Sequence, residues 1–190
     1  MARKWFADIY VVLLLTSCTA LRPGDLLFHV AAQGNAITDV TPGMIDHVAI
    51  VLSKDSVIEA VGAGVRTTLL DSLRQQDGHY IIGRVRWADA TLSLLNARTF
   101  IGRPYDRLYL PDNDAIYCSE LVQFSYVDWR GSRIITPKPM SFHDASGHIT
   151  PYWTEFYAKH GMPVPEGRPG TNPGELSQRP AVRILGRLQK

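Results

Sequence analysis

The chain has 190 residues and a mass of 21.2 kDa, room for one domain and marginal for two. Its 45% hydrophobic and 20% charged content suits a packed core and excludes wholesale disorder. Lys and Arg total 20 against 18 acidic residues, so no dense basic stripe speaks for nucleic acid, and two cysteines exclude a disulfide scaffold or a four-cysteine zinc site.

The N-terminus carries Arg3 and Lys4, then a short apolar run from Ile9 to Leu15, too short to span a bilayer as a helix. Leu15-Thr16-Ser17-Cys18 follows and resembles a bacterial lipobox, in which the cysteine is acylated after cleavage. Residues 1–18 are therefore expected to be a signal peptide ending at a lipidated Cys18, and residues 19–190 a single domain. Thr19 is not an Asp, which points a Gram-negative lipoprotein toward the outer membrane, anchored there and facing the periplasm.

After Pro23-Gly24, Asp25 to Val30 reads as a strand and Gln33 to Gly43 as a loop. His47 to Leu52, rich in β-branched residues, reads as a buried strand, followed by strands over Ser56–Val61, Val65–Leu69 and Tyr80–Val85. Beyond Trp87 the period changes: Asp89 is a predicted N-cap for a helix ending at Gly102. A second helix is expected to begin at Asn113 or Asp114, with Tyr117, Leu121, Phe124 and Val127 on its apolar face. Trp153, Phe156 and Tyr157 suit an amphipathic helix, and five prolines and four glycines make 161–180 mainly loop. The class is α+β, an antiparallel sheet followed by helices on one core.

With Cys18 set aside, Cys118 is the remaining thiol, and it falls near a predicted helix start, where the dipole favours a thiolate. A nucleophile needs a base and a group to orient it. His47, at the head of a buried-type strand beside Asp46, ranks first among the six histidines, and His29 second; a strand-end histidine bonded to backbone is the bland alternative. Glu59 interrupts the apolar Val57-Ile58-Glu59-Ala60-Val61, and a carboxylate is rarely buried without a partner. Beside His47 it would fix the imidazole tautomer. Period-two alternation puts both on one face if 47 pairs 59 across an odd turn centred on Ser53, whereas a two-residue Lys54-Asp55 turn would not.

His47-Val-Ala-Ile-Val, Val57-Ile-Glu59-Ala, Gly102-Arg-Pro-Tyr105-Asp106 and Tyr117-Cys118-Ser-Glu-Leu-Val122 together resemble the NlpC-type papain-like cysteine hydrolases. Here His and Glu precede Cys, as in the circularly permuted YiiX/YaeF-like branch, which Thr171-Asn-Pro-Gly-Glu-Leu-Ser177 also resembles. The resemblance implies a permuted papain-like fold, a barrel-like antiparallel sheet packed on helices with the catalytic Cys at a helix N-terminus. It implies Cys118 as nucleophile, His47 as base and then acid, and Glu59 as orienting carboxylate. Tyr105 and Tyr117 would lie at the substrate and oxyanion positions, and no metal or cofactor is implied. Tyr117 and Glu120 stand where ordinary members carry Asp and Gly, a departure that bears on specificity more than on chemistry.

The expected activity is hydrolysis of an amide bond, in murein-derived peptides, by a cell-envelope amidase or peptidase. A lipid-directed acyl hydrolase or acyltransferase with the same triad is the first alternative, and would need a deep apolar cavity at Cys118. A ligand-binding lipoprotein without catalysis is the second.

Overall fold

The computed structural model describes residues 20–189, so the predicted signal peptide and Cys18 lie outside the described residues. Six strands form one antiparallel sheet: β1 Asp25–Val30, β2 Ile45–Val51, β3 Ser56–Val61, β4 Gly64–Leu69, β5 His79–Val85 and β8 Val182–Arg187, in the order β4-β3-β2-β1-β5-β8. A two-residue pair, β6 Lys138–Pro139 and β7 Pro169–Gly170, stands apart. The helices are α1 Leu70–Arg74, α2 Ala90–Thr99, α3 Cys118–Ser125, α4 Pro151–Lys159 and α5 Pro173–Ser177.

Alternation along the strands divides the core. Leu26, Phe28, Val48, Ile50 and Ile58 pack with Leu121, Val122 and Tyr126 around α3. The intervening Leu27, Ala49, Val51 and Val57 pack with Leu70 and Leu73 of α1 and with Leu188. A third cluster of Met140, Phe142, Trp153 and Tyr157 joins α4 to the irregular C-terminal half. The buried Asp25 accepts two hydrogen bonds from Arg84, at 2.6 and 2.8 Å, and ties β1 to β5 where the chain enters the sheet.

Three expectations change. The helix bearing Cys118 begins at Cys118, with Tyr117 as N-cap, and ends at Ser125, so Val127 lies beyond it. Asn113 caps a turn instead, its Oδ1 accepting from Ala115 N–H while its Nδ2 donates to Asp106. The β2–β3 hairpin turns about Lys54, with Ile50 opposite Ile58 and Val51 opposite Val57. His47 and Glu59 are thus offset by two residues from direct pairing, which keeps them on one face but makes them diagonal neighbours. Leu52 and Ser53 N–H both donate to the Ser56 carbonyl and fix that turn. The stretch 161–180 also holds α5, which its proline and glycine content concealed, and β8 follows it from Val182.

Candidate active site

His47 precedes the paired part of β2 and Glu59 follows the paired part of β3, so both stand where the two strands separate. His47 Nε2 donates to Glu59 Oε2 at 2.9 Å. Glu59 is 2% exposed, and its second oxygen accepts from Thr68 Oγ1 at 2.6 Å, with the Arg66 guanidinium 3.8 Å away. Burial pushes this carboxyl up, but the bonds from His47 and Thr68 and the Arg66 charge outweigh it and hold it below its ordinary range. Thr68 reaches Glu59 because β3 and β4 pair throughout, with Glu59 opposite Arg66 and Val57 opposite Thr68.

Cys118 is the first residue of α3, where the helix's leading N–H groups have no partner within the helix. The thiol is only 4% exposed, yet it lines a cleft. Burial favours neutral His47, but the flanking Cys118 and Glu59 outweigh it and raise the imidazole to about 10. Glu59 occupies Nε2, which leaves Nδ1 as the ring nitrogen for the sulfur. The structure thus brings Cys118, His47 and Glu59 to one place.

Tyr105 is half-buried and lines the cleft beside Cys118; burial, then the neighbouring Cys118 and Tyr109, push its phenol up, so it stays a hydroxyl donor. Tyr117 is not free to serve substrate in the same way. Its hydroxyl accepts from Thr171 N–H at 3.1 Å and its ring meets Tyr109 edge-on, so it forms a wall of the cleft. Ser119 Oγ donates to the Thr171 carbonyl at 3.0 Å, a second fastening of the helix tip. Gly170 is required there, because a Cβ would meet Met140 and the Tyr117 hydroxyl.

Three further residues named from the sequence surround this centre, in roles the sequence did not assign them. Directly opposite His47 on β1 stands His29, whose Nδ1 donates to Asp46 Oδ1 and Nε2 to the Asp77 carbonyl, both at 2.7 Å. Two acceptors on one ring require the imidazolium, and the bond to Asp46 outweighs burial in raising its pKa. Asp46 also accepts from Asn35 Nδ2 at 2.6 Å. Asp46 beside His47 was visible in the chain, but the β-bulge between His29 and Val30 that turns it toward His29 was not. Two residues past Cys118, the buried Glu120 is raised to about 8 by desolvation, opposed by its bond from the Tyr117 N–H, with Asp106 and Asp112 adding to the rise. Its Oε2 has no partner among the described residues.

Two hollows meet at this centre. An apolar pocket of about 50 Å³ reaches Cys118 between Tyr105, Tyr109, Met140 and Phe142. A wider groove of about 530 Å³ and mixed character runs past His47 and Glu59, lined by Asn35, Asp46 and Arg107 together with Tyr152, Trp153 and Phe156. Among the described residues, no group of three or more His, Cys, Asp or Glu is arranged to hold a metal ion.

The arrangement has relatives. The family model for the permuted papain-like amidase enzyme, YaeF/YiiX, C92 family, matches residues 20–186. The crystal structure of metalloprotein yiiX from Escherichia coli O157:H7 matches with a TM-score of 0.70 at 21% identity, covering 89% of this chain and 98% of that one, a likeness of fold. No curated protein matches the sequence.

Proposed function

This chain belongs to the permuted papain-like amidase family of YaeF and YiiX, and on that premise we propose that it is a cell-envelope cysteine amidase that hydrolyses an amide bond in murein-derived peptides. Cys118, His47 and Glu59 carry the chemistry. The observation that supports the reading is the 2.9 Å bond from His47 to the buried Glu59, with Cys118 on the other side of the same imidazole.

The Cys118 thiolate attacks the carbonyl carbon, and the amide π electrons move to oxygen. The resulting oxyanion lies at the start of α3, where the Cys118 N–H and the Tyr105 hydroxyl serve as donors. His47 delivers its proton to the leaving amine, the C–N bond breaks, and a thioester remains on Cys118. A water then gives its proton to His47 and attacks the thioester, releasing the acid and restoring the thiolate–imidazolium pair. Glu59, held by Thr68, keeps Nε2 occupied and stabilises the imidazolium at each stage.

The hollows favour peptide over lipid. A long acyl chain needs a deep apolar cavity at the sulfur, and the pocket there, about 50 Å³, accepts only a few non-hydrogen atoms. The larger groove, with Asp46 and Arg107 set among aromatic side chains, suits a peptide that carries both charged and apolar groups. Lipid anchorage through Cys18, facing the periplasm, is part of this proposal.

Incubation with murein peptides and, separately, with phospholipid esters and lipid amides tests the reading. Release of new amino termini from the peptides, abolished in Cys118→Ala, is expected. Turnover of the lipids alone assigns the triad to the acyl-hydrolase alternative, and turnover of neither class removes the amidase reading.

A further inference from the structure

Beyond this site, two tryptophans stand mostly in water, Trp87 at 72% and Trp129 at 71% exposure. Each lies two residues from the hydrogen bond that joins Asp89 N–H to the Val127 carbonyl, so both belong to one end of the molecule. Helix α2 begins at that end. It buries Ser93, Leu94 and Ala97 and turns Leu92 and Leu95 outward, three residues apart on its exposed side. The outer side of a helix on a water-soluble domain is ordinarily polar, so this face is reversed. Arg86 and Arg130 are exposed next to the two tryptophans, and the Arg130 guanidinium lies 4.5 Å from the Trp129 ring centroid. The neighbouring Asp89 and Asp128 are spent on the backbone N–H groups of Leu92, Arg130 and Ser132.

The chain enters the fold at the same end. Gly24 abuts Ala90, the first residue of α2, and its carbonyl accepts from Tyr126 Oη at 2.8 Å. Cys18 is only six residues before Gly24, a tether of about 20 Å when extended. Indole rings with guanidinium groups and outward leucines form the composition that settles at the headgroup level of an anionic bilayer. No helix among the described residues is long and apolar enough to cross a membrane.

We propose that Trp87, Trp129, Leu92 and Leu95, flanked by Arg86 and Arg130, form the face by which the protein lies on an anionic lipid surface. This face adds a second, non-covalent contact to the proposed lipid anchor at Cys18. The inference rests on the envelope location proposed above and not on the hydrolytic chemistry. It also fixes orientation. The contacts of α2 with α3 fall on Phe124 and Ser125, at the end of α3 about 10 Å from Cys118. With that end on the membrane, Cys118 sits at the opposite end of α3 from the lipid face.

Vesicle co-sedimentation of the full chain carrying Cys18→Ser tests this without an attached lipid. In that background, Trp87→Ser with Trp129→Ser is expected to weaken binding to phosphatidylglycerol-containing vesicles by about tenfold or more. Each of Arg86→Gln and Arg130→Gln is expected to weaken it about fivefold, with no effect on neutral phosphatidylcholine vesicles. Cys118→Ala is expected to bind as the parent does, so loss of hydrolysis and loss of docking are read separately. Equal binding by the tryptophan variant and its parent overturns the proposal. So does a concentration-dependent dimer that the same two substitutions abolish, since the face would then belong to a second copy.

Discussion

An imidazole between a sulfur and a buried carboxylate keeps its proton far more tightly than one in water. His47 is raised to about 10 for this reason, so it keeps its positive charge beside the Cys118 sulfur at neutral pH. Iodoacetamide is therefore expected to alkylate Cys118 rapidly at pH 7, and His47→Ala to slow that reaction by on the order of tenfold, because an ordinary thiol is only a few per cent ionised there. Mass spectrometry of the modified peptide reads the rate, and an unchanged rate in His47→Ala would separate the two groups chemically. Both residues were legible in the chain: a carboxylate amid apolar β-branched residues required a partner, and a histidine heading the preceding strand was near enough to be one. Thr68 was not legible. Its hydroxyl reaches Glu59 only because β4 pairs with β3 in one register, and nothing local in Gly64-Val-Arg-Thr-Thr-Leu69 sets that register.

At the level of elements, β1 to β5 were readable from alternation and β-branched content, with ends within two residues of those observed, whereas β8 was not. The start of α3 was not, since Asp112, Asn113 and Asp114 are all good caps and Asn113 does cap, but a turn folded on Asp106. That displacement matters chemically, because it moves Cys118 from within a helix to its first position. The segment bearing Tyr105 is placed by a contact between elements. Val65 N–H donates to the Arg103 carbonyl and Gly102 N–H to the Val65 carbonyl, and Gly64, at φ 101°, has no room for a Cβ against Arg103. Gly64→Ala is expected to cost roughly 1–3 kcal/mol, read as a lowered midpoint in urea. A midpoint equal to the parent's would mean the segment is not pinned there.

For the molecule as a whole, pH acts on stability through groups of opposite sign. The lowered Asp46 and Glu59 contribute above their unfolded pKa values, and this is lost as acid titrates them through their folded ones. His47, raised to about 10, contributes fully below its unfolded pKa of about 6.5 and loses that contribution as pH rises through 10. Glu120, raised to about 8, is the exception among carboxyls: it favours the folded state least when ionised, so it lowers stability progressively from its unfolded pKa up to pH 8. Stability is therefore expected to be greatest in mild acid. Glu120→Gln, which keeps the shape without the charge, should raise the melting temperature more at pH 8 than at pH 5; an equal gain at both would show that Glu120 is not the titrating group. The start of α3 is also fastened from far away in the chain, through Tyr117 and Ser119 to Thr171. A polypeptide leaves the ribosome amino end first, so the thiol, the imidazole and the carboxylate all emerge before the strap that secures them. A half-made molecule thus carries all three groups and lacks the clasp, and translation must pass Thr171 before Cys118 is seated.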